Sequence, residues 1–228
     1  MKFISHIYRF IRVFICAGLL FVIASSCNNR IPDKVTDIDG NVYHTICIGK
    51  QVWMVENLKV TRYRNGDSIP KVTGRAKWTI QKEGAFCNYD NNDNNITAYG
   101  RLYNWFAVND SRHIAPEGWH IPSDDEFNTL INYLGGDSIA GNKMKEPGAL
   151  HWLAPNNAAN KSGFSASPGG YRNDYDGNFF LQGHNGMLWS ATENDTTAWI
   201  RIVNNRDASV FRNYACKPSG FSVRCIKD

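Results

Sequence analysis

The sequence predicts an α+β fold with antiparallel sheets, one well-defined helix and a long irregular insert. Residues 41–58 alternate apolar and polar side chains, which is the period-two pattern of half-buried strands. Residues 123–134 follow the helical period instead, and residues 187–226 return to short strand-like segments. Because strands and helix are segregated along the chain rather than alternating, this order indicates α+β rather than α/β.

Residues 1–26 have the layout of an export signal. Lys2, Arg9 and Arg12 give a basic start, and an apolar run from residue 13 to 24 follows. A transmembrane anchor is the other structure to consider, but a bilayer core needs about 20 apolar residues. This run is shorter, and its basic start and small final residues are typical of a signal peptide.

Two serines directly precede Cys27. Small residues before a cysteine resemble the lipobox of bacterial lipoproteins, in which the cysteine is acylated and becomes the new N-terminus. Ordinary signal cleavage that leaves Cys27 as a free thiol is the alternative. We therefore expect a signal peptide at 1–26, a lipidated tether at 27–37 and a folded domain at 38–228. The expected location is the cell envelope, on either face of the outer membrane.

The mature chain has a nearly neutral charge balance. The whole sequence has 25 basic and 21 acidic residues, and three of the basic residues lie in the signal. No basic block remains, so nucleic acid is not an expected partner. The histidines are scattered and no Cys-x-x-Cys pair occurs, so no metal or other cofactor is expected. The expected partners are the membrane, through the lipid anchor, and a glycan or envelope protein.

The first element of the folded domain is a β-hairpin. The strand pattern of residues 41–48 is followed by Gly49-Lys50 and then by residues 51–58. Two residues of this kind between two strand patterns favour a tight hairpin turn.

Within the Asn/Asp-rich segment 88–95, residues 90–95 resemble the start of an EF-hand calcium loop. However, Asn95 stands where that loop needs a glycine, and Arg101 stands where it needs a glutamate. We therefore expect a set of turns whose side chains satisfy their own backbone rather than a calcium site.

The central helix has clear start and stop signals. Ser123 and Glu126 have the spacing of a capping box, and Gly135 suits the C-terminal end. The residues of its apolar face are Phe127, Leu130, Ile131 and Leu134.

Residues 141–186, which we call the insert, are rich in Gly, Asn, Pro and aromatic residues and have little periodicity. A long loop of this kind is uncommon unless it is functional or packed through its own aromatics. Aromatic rings beside amides and carboxylates suit a glycan or peptide. The alternative is that the rings, above all Trp152 and Tyr171, form the core of the insert. The ligand-binding candidates are Trp152, Tyr171, Asn173, Asp174, Tyr175 and Asp176.

The C-terminal region is expected to form an antiparallel sheet of short strands. The strand-like segments are 187–192, 199–203, 209–214 and 221–226. Four tryptophans elsewhere in the chain are expected in the core: Trp53, Trp105, Trp119 and Trp189.

Six Trp- and Gly-rich blocks run in order along nearly the whole mature chain. They are QVWMVENL (51–58), YGRLYNWFAV (99–108), PEGWHIPS (116–123), GFSASPGGYR (163–172), LWSATE (188–193) and GFSVRC (220–225). Together they resemble the Fibrobacter succinogenes major paralogous domain. The resemblance implies a fold similar to that of C-type lectins and formylglycine-generating enzymes. It implies no biochemical activity, because none is established for the family.

The mature chain has four cysteines besides the lipidation candidate, and the sequence alone leaves three pairings open. The resembled family often has a cysteine just before its Pro-x-Gly-Trp block, where this chain has Ala115. The resemblance therefore implies a substitute bridge between Cys216 and Cys225. Cys47 and Cys87 would then form a second bridge or remain thiols.

Three short motifs suggest O-glycosylation. Each has an aspartate, then Ser or Thr, then an aliphatic residue or threonine, and this pattern resembles a sequon of some Gram-negative envelope systems. The candidate acceptors, all in predicted turns or loops, are Ser68, Ser138 and Thr196.

The sequence thus favours a non-catalytic, lipid-anchored envelope domain that recognises a glycan or protein, or mediates adhesion, through the insert. One alternative is a structural or assembly subunit of an envelope complex. Another is a diverged enzyme of the formylglycine-generating type. Those enzymes use a closely spaced cysteine pair, whereas Cys216 and Cys225 are well separated here, and no other nucleophile motif is present. No enzyme activity is therefore expected.

Overall fold

The computed structural model describes residues 32–228, so the predicted signal peptide and Cys27 lie outside the described residues. The strands are β1 (Lys34–Thr36), β2 (Val42–Ile48), β3 (Gln51–Met54), β4 (Phe86–Cys87), β5 (Leu102–Tyr103), β6 (Trp119–His120), β7 (Gly169–Arg172), β8 (Phe179–Gln182), β9 (Asn185–Asn194), β10 (Thr197–Asn204), β11 (Val210–Cys216) and β12 (Ile226–Lys227). The helices are α1 (Arg75–Thr79), α2 (Ile96–Tyr99), α3 (Trp105–Val108), α4 (Asp124–Tyr133) and α5 (Asp137–Met144). The fold is α+β and rich in antiparallel strands, as predicted.

The predicted hairpin is confirmed as β2 and β3. Ile48 pairs with Gln51 across the two-residue turn, and Gly49 adopts a φ of +66° there, which glycine allows without strain. The predicted tether at 27–37 is wrong at its C-terminal end. Residues 34–36 form β1, which pairs antiparallel with β2, because Val35 packs against the core rather than facing solvent.

A five-stranded antiparallel sheet joins the hairpin to the C-terminal region. Its strand order is β1-β2-β3-β12-β6. Ile226 of β12 pairs with Trp53 on one side and with His120 on the other. The strand predicted at 221–226 is therefore mostly irregular chain. Residues 221 and 222 instead form single bridges to Tyr103 and Leu188.

Helix α4 forms as predicted. Ser123 accepts from the backbone N–H of Glu126, and the Glu126 carboxylate accepts from the backbone N–H of Ser123. This reciprocal capping satisfies donors that the first turn leaves free. The apolar face packs on the five-stranded sheet, and the rings of Phe127 and Trp53 have centroids 5.4 Å apart.

A second sheet with the order β11-β10-β9 follows the insert. Its strands match the predicted segments but are longer. The insert is more ordered than expected, because it contains the second half of α5 and the hairpin β7–β8. The expectation of a single well-defined helix was therefore wrong. Helix α5 has no clear apolar stripe in its sequence, and it is held by Gly141, which packs against the backbone of Ser209.

The core contains two main hydrophobic clusters. All four tryptophans that were expected in the core are buried: Trp105, Trp119 and Trp189 lie in one cluster, and Trp53 lies in the other with the apolar face of α4. Within residues 32–228, no helix is both long enough and apolar enough to cross a membrane.

Candidate functional site

Trp152 is a core residue rather than a ligand-binding one. Its side chain is only 1 % exposed and belongs to the cluster around Trp53. Its indole Nε1 donates to the backbone oxygen of Ala166 at 3.1 Å. Both the apolar body and the polar tip of the ring are therefore used inside the insert, and the candidate role that the sequence suggested for Trp152 is wrong.

The polar candidates of the insert lie in the turn that joins β7 to β8, and their oxygens accept hydrogen bonds from the backbone of the turn, from Asn178 and from Ser219. Asn173 Oδ1 accepts from the backbone N–H of Tyr175 at 2.7 Å. Asp176 Oδ1 accepts from the backbone N–H of Asn178 at 2.9 Å. Asp174 accepts from the hydroxyl of Ser219 at 2.8 Å. These contacts build the turn, and Tyr175 is its most exposed residue, at 89 %.

Tyr171 is half-buried on β7. Its ring lies between those of Phe180 and Phe221, with centroids 5.6 Å and 5.7 Å away. It therefore connects the insert hairpin to the main core, in which Phe221 also contacts Trp189 edge to face.

Arg172, next to it, is a key residue that the sequence did not single out. The guanidinium is fully buried. It donates to the backbone oxygens of Val72, Thr73 and Gly177, at 2.6, 2.8 and 3.0 Å. Arg172 thereby fixes the hairpin β7–β8 to the segment before α1.

The insert instead exposes a group of large apolar side chains, which we call the insert ridge. Its members are Leu150, Leu153, Phe180 and Leu181. Leu150 and Leu153 are 79 % and 51 % exposed. The backbone N–H of Leu153 donates to Gly183 O at 2.8 Å, so the loop that carries the two leucines lies against the end of β8. The sequence offers no clear signal for this surface, because isolated leucines in an Asn- and Gly-rich segment are as compatible with burial as with exposure.

A small polar cleft opens beside the ridge. It has a volume of about 150 Å³, and its lining includes Glu56, Glu146, His151 and Arg224. His151 Nδ1 lies 2.7 Å from Glu146 Oε2. Arg224 is buried, and one of its Nη atoms donates to Asn57 Oδ1 at 2.8 Å. His151 directly follows Leu150 in the chain, so one loop contributes to both the polar cleft and the apolar ridge.

A larger cleft lies elsewhere, between β6 and the start of α4. Its volume is about 480 Å³, and its lining includes Arg64, His113, His120, Ser123 and Glu126. The guanidinium of Arg64 donates to three backbone oxygens around this cleft, those of residues 115, 116 and 119.

His120 is held in this cleft by carboxylates on both sides. Its Nε2 lies 2.8 Å from Glu126 Oε1, and its Nδ1 lies 2.6 Å from Asp228 Oδ1. Burial by itself would lower the pKa of His120, but the hydrogen bonds to Asp228 and Glu126 outweigh it and raise the pKa. Burial would raise the pKa of Glu126, but hydrogen bonds from Ser123 and His120 lower it. Because both ring nitrogens are engaged, neither is available to activate a nucleophile.

The predicted disulfides are not formed. Cys87, Cys216 and Cys225 are all free thiols, so the bridge Cys216–Cys225 is wrong. Of the two alternatives for Cys47 and Cys87, the bridge between them is excluded, and Cys87 remains a thiol. Cys87 and Cys225 are buried in different hydrophobic clusters, and Cys216 is exposed at the end of β11. Burial raises the pKa of all three thiols, that of Cys87 to about 12, which disfavours the nucleophilic thiolate.

The three O-glycosylation candidates, Ser68, Ser138 and Thr196, are exposed. Thr196 lies in the turn between β9 and β10, as expected, whereas Ser138 lies in the first turn of α5 rather than in a loop.

The Asn/Asp-rich segment 88–95 forms short 3-10 turns. Among the residues that the structure describes, no cluster of three or more His, Cys, Asp or Glu side chains could hold a metal ion.

Fold and surface together define a strand-rich α+β domain with an exposed apolar ridge on its insert. Residues 46–227 match the family model described as the Fibrobacter succinogenes major domain. The chain therefore belongs to that family, as its sequence blocks predicted. Searches of curated proteins and of solved structures found no significant match.

The placement of Trp152 predicts a large effect of its removal on stability. Trp152→Ala should lower the free energy of unfolding by about 3–5 kcal/mol, because it leaves a cavity in the core. Tyr175→Ala is the matched control, since that ring is exposed, and it should leave stability unchanged. Chemical denaturation measures both. Equal stability of the two variants would contradict a core role for Trp152.

The contacts of His120 with Glu126 and Asp228 predict a pH-dependent contribution to stability. The raised pKa of His120 means that its contribution is complete below the unfolded value of 6.5 and is lost as the pH rises through the folded pKa. The lowered pKa of Glu126 means that its contribution is present above 4.5 and is lost on acidification. The contacts around His120 should therefore stabilise the fold most between pH 4.5 and pH 6.5.

Melting temperatures of the protein and of His120→Gln should accordingly differ most between pH 4.5 and 6.5 and converge in alkaline solution. His113→Gln changes an exposed histidine of the same cleft and is the control. If the two variants had the same pH dependence, His120 would not be the titrating group.

Proposed function

We propose that this chain is a non-catalytic recognition domain that is anchored in the cell envelope and binds a protein partner through its insert. The observation that carries the proposal is the insert ridge, in which three leucines and a phenylalanine are exposed within one segment of the chain. Leu153 is brought to the end of β8, which carries Phe180 and Leu181, by its hydrogen bond to Gly183 O, and exposed apolar groups that lie together commonly mark protein interaction sites.

The chemistry of the ridge favours a protein over a glycan at this surface. Sugars are bound by flat aromatic faces together with free polar groups. In the insert, Trp152 is buried, and Asn173 Oδ1 and both carboxylate oxygens of Asp176 already accept hydrogen bonds within the β7–β8 turn. The exposed aliphatic side chains offer apolar area instead, and the cleft that contains Glu146 and His151 adds polar groups from the same stretch of chain as Leu150, as the rims of protein interfaces do.

A fold of the type found in C-type lectins and formylglycine-generating enzymes is part of the proposal. Membership of the Fibrobacter succinogenes major domain family supports it. So do the β2–β3 hairpin, the central helix α4 and the long insert that precedes the second sheet. In folds of this kind a long loop region on a fixed scaffold is a natural place for recognition.

The state of the histidine and the thiols favours a non-catalytic role. His120 has both ring nitrogens bound to carboxylates. The free thiols have raised pKa values, and Cys225 is completely buried. A nucleophile needs a base within reach and an accessible reactive form, and none of these groups provides both.

Lipid attachment at Cys27 is the proposed anchor. The folded domain has little net charge to hold it on a membrane, and a single acyl chain binds only marginally. The several acyl chains of a mature lipoprotein would retain it. O-glycans at Ser68, Ser138 and Thr196 are compatible with this location, because all three hydroxyls are exposed.

Ridge variants test the proposed interaction. In intact cells of the native host, crosslinking should capture a specific partner. The double substitution Leu150→Ser with Leu181→Ser should reduce that capture about tenfold or more, because burial of each leucine side chain against a partner contributes about 1.5–3 kcal/mol. Ile80→Ser is the control, since Ile80 is 74 % exposed but lies outside the insert. Equal capture by both variants would refute a partner at the ridge.

Cys27→Ser tests the anchor. The variant should leave the membrane fraction and appear in the soluble fraction, while its melting temperature stays that of the unmodified domain. Fractionation followed by immunoblotting measures the distribution. Continued membrane association of the variant would exclude Cys27 as the anchor.

A further inference from the structure

Arg212 is held on β11 by contacts to only part of its guanidinium group. Its Nε lies 3.2 Å from Asp124 Oδ1 and 2.9 Å from Asp124 Oδ2. The guanidinium carbon lies 3.3 Å from the ring centroid of Trp199. Neither Nη1 nor Nη2 donates to any residue in the described part of the chain, and the side chain is 44 % exposed. The two contacts thus fix the planar guanidinium group of Arg212 and leave its Nη1 and Nη2 donors available.

The charges around Arg212 do not balance. Asp124 also accepts from Nη1 of Arg201 at 2.6 Å, and Arg201 is buried. Within residues 32–228, neither arginine has another carboxylate as an ion-pair partner. Two guanidinium groups therefore share one carboxylate, and the positive charge that remains is exposed at Arg212. This surplus attracts an anionic group.

An exposed aromatic ring, that of Tyr214, lies on the same strand as the Arg212 guanidinium. Tyr214 is 57 % exposed, and its ring meets that of Trp199 edge to face, with centroids 6.1 Å apart. Tyr214 pairs with Trp199 in the β10–β11 ladder, and Arg212 is two residues along the same strand. Because alternate residues of a strand share a face, all three side chains lie on one face of the sheet. We call these three residues the arginine platform.

We propose that the arginine platform binds a uronate residue of an acidic polysaccharide. The carboxylate would accept from Nη1 and Nη2 of Arg212, which is the planar, bidentate geometry that arginine favours. The C–H face of the sugar ring would lie on the exposed ring of Tyr214. An acidic peptide also has carboxylates, but it has no flat ring face to place on Tyr214, so the combination favours the uronate.

This site is separate from the proposed function of the insert, because it uses a different surface and a different ligand chemistry. The platform lies on β10 and β11, with Asp124 at the start of α4 beneath it. The insert ridge contributes no residue to it.

Calorimetric titration of the full chain in detergent tests the proposal. The probes are trigalacturonic acid and its fully methyl-esterified form, which keeps the rings and removes the charge. We expect the acid to bind. The affinity of the ester should be lower by about tenfold or more, because the ester cannot form the charged bidentate contact. Arg212→Gln and Tyr214→Ala should each weaken binding of the acid about tenfold.

Arg206→Gln is the matched control, because it removes an exposed arginine from the turn of the same hairpin and should leave binding unchanged. Arg212→Gln also deprives Asp124 of a partner. If its melting temperature falls, Tyr214→Ala, which alters an exposed ring, decides. Absence of binding, equal binding of acid and ester, or tighter binding of a triglutamate peptide would overturn the proposal. An equal loss in Arg206→Gln and Arg212→Gln would also overturn it, since net charge alone would then explain the effect.

Discussion

The buried side chain of Arg172 is the interaction on which the position of the insert depends. It donates to three backbone oxygens from two separate segments, and its guanidinium lies between the rings of Trp78 and Phe179, at 4.6 and 4.8 Å. No carboxylate in the described part of the chain forms an ion pair with it, so carbonyl dipoles and ring faces stabilise the charge. A buried cation that lost these partners would be costly. The hairpin β7–β8 is therefore confined to one arrangement against the first half of the domain.

Features that depend on short stretches of sequence could be predicted well. The β2–β3 turn needs only Gly49-Lys50 between two alternating segments, and helix α4 needs only its capping box and apolar face. Both form within a few residues of the signals that specify them. Helix α5 was missed because its stability comes from elsewhere. Gly141 packs against the backbone of Ser209, and no local pattern announces such a contact.

The exposed surface of the insert could not be predicted, because burial is decided by distant residues. Trp152 and Leu150 are two positions apart in a segment with no periodicity. The indole is buried because its Nε1 donates to Ala166 O and its ring packs in the cluster around Trp53. Leu150 remains outside, although on hydrophobicity alone it belongs in the core. The same holds for the cysteines. Cys87 and Cys225 lie in different hydrophobic clusters, and the spacing of the cysteines along the chain does not indicate this.

The two proposed surfaces suit different ligands because different structures hold them. The arginine platform lies on a continuous strand ladder and is fixed by Asp124 and by ring contacts. Pre-organisation of this kind benefits a small polar ligand, since little ordering cost remains when it binds. Leu150 and Leu153 of the insert ridge lie in a loop that is held by a few hydrogen bonds, such as that from Leu153 to Gly183. Loops of this kind open more easily than strand ladders, and the ordering cost is offset only by a partner that buries a large apolar area. A protein surface provides that area, whereas a sugar does not.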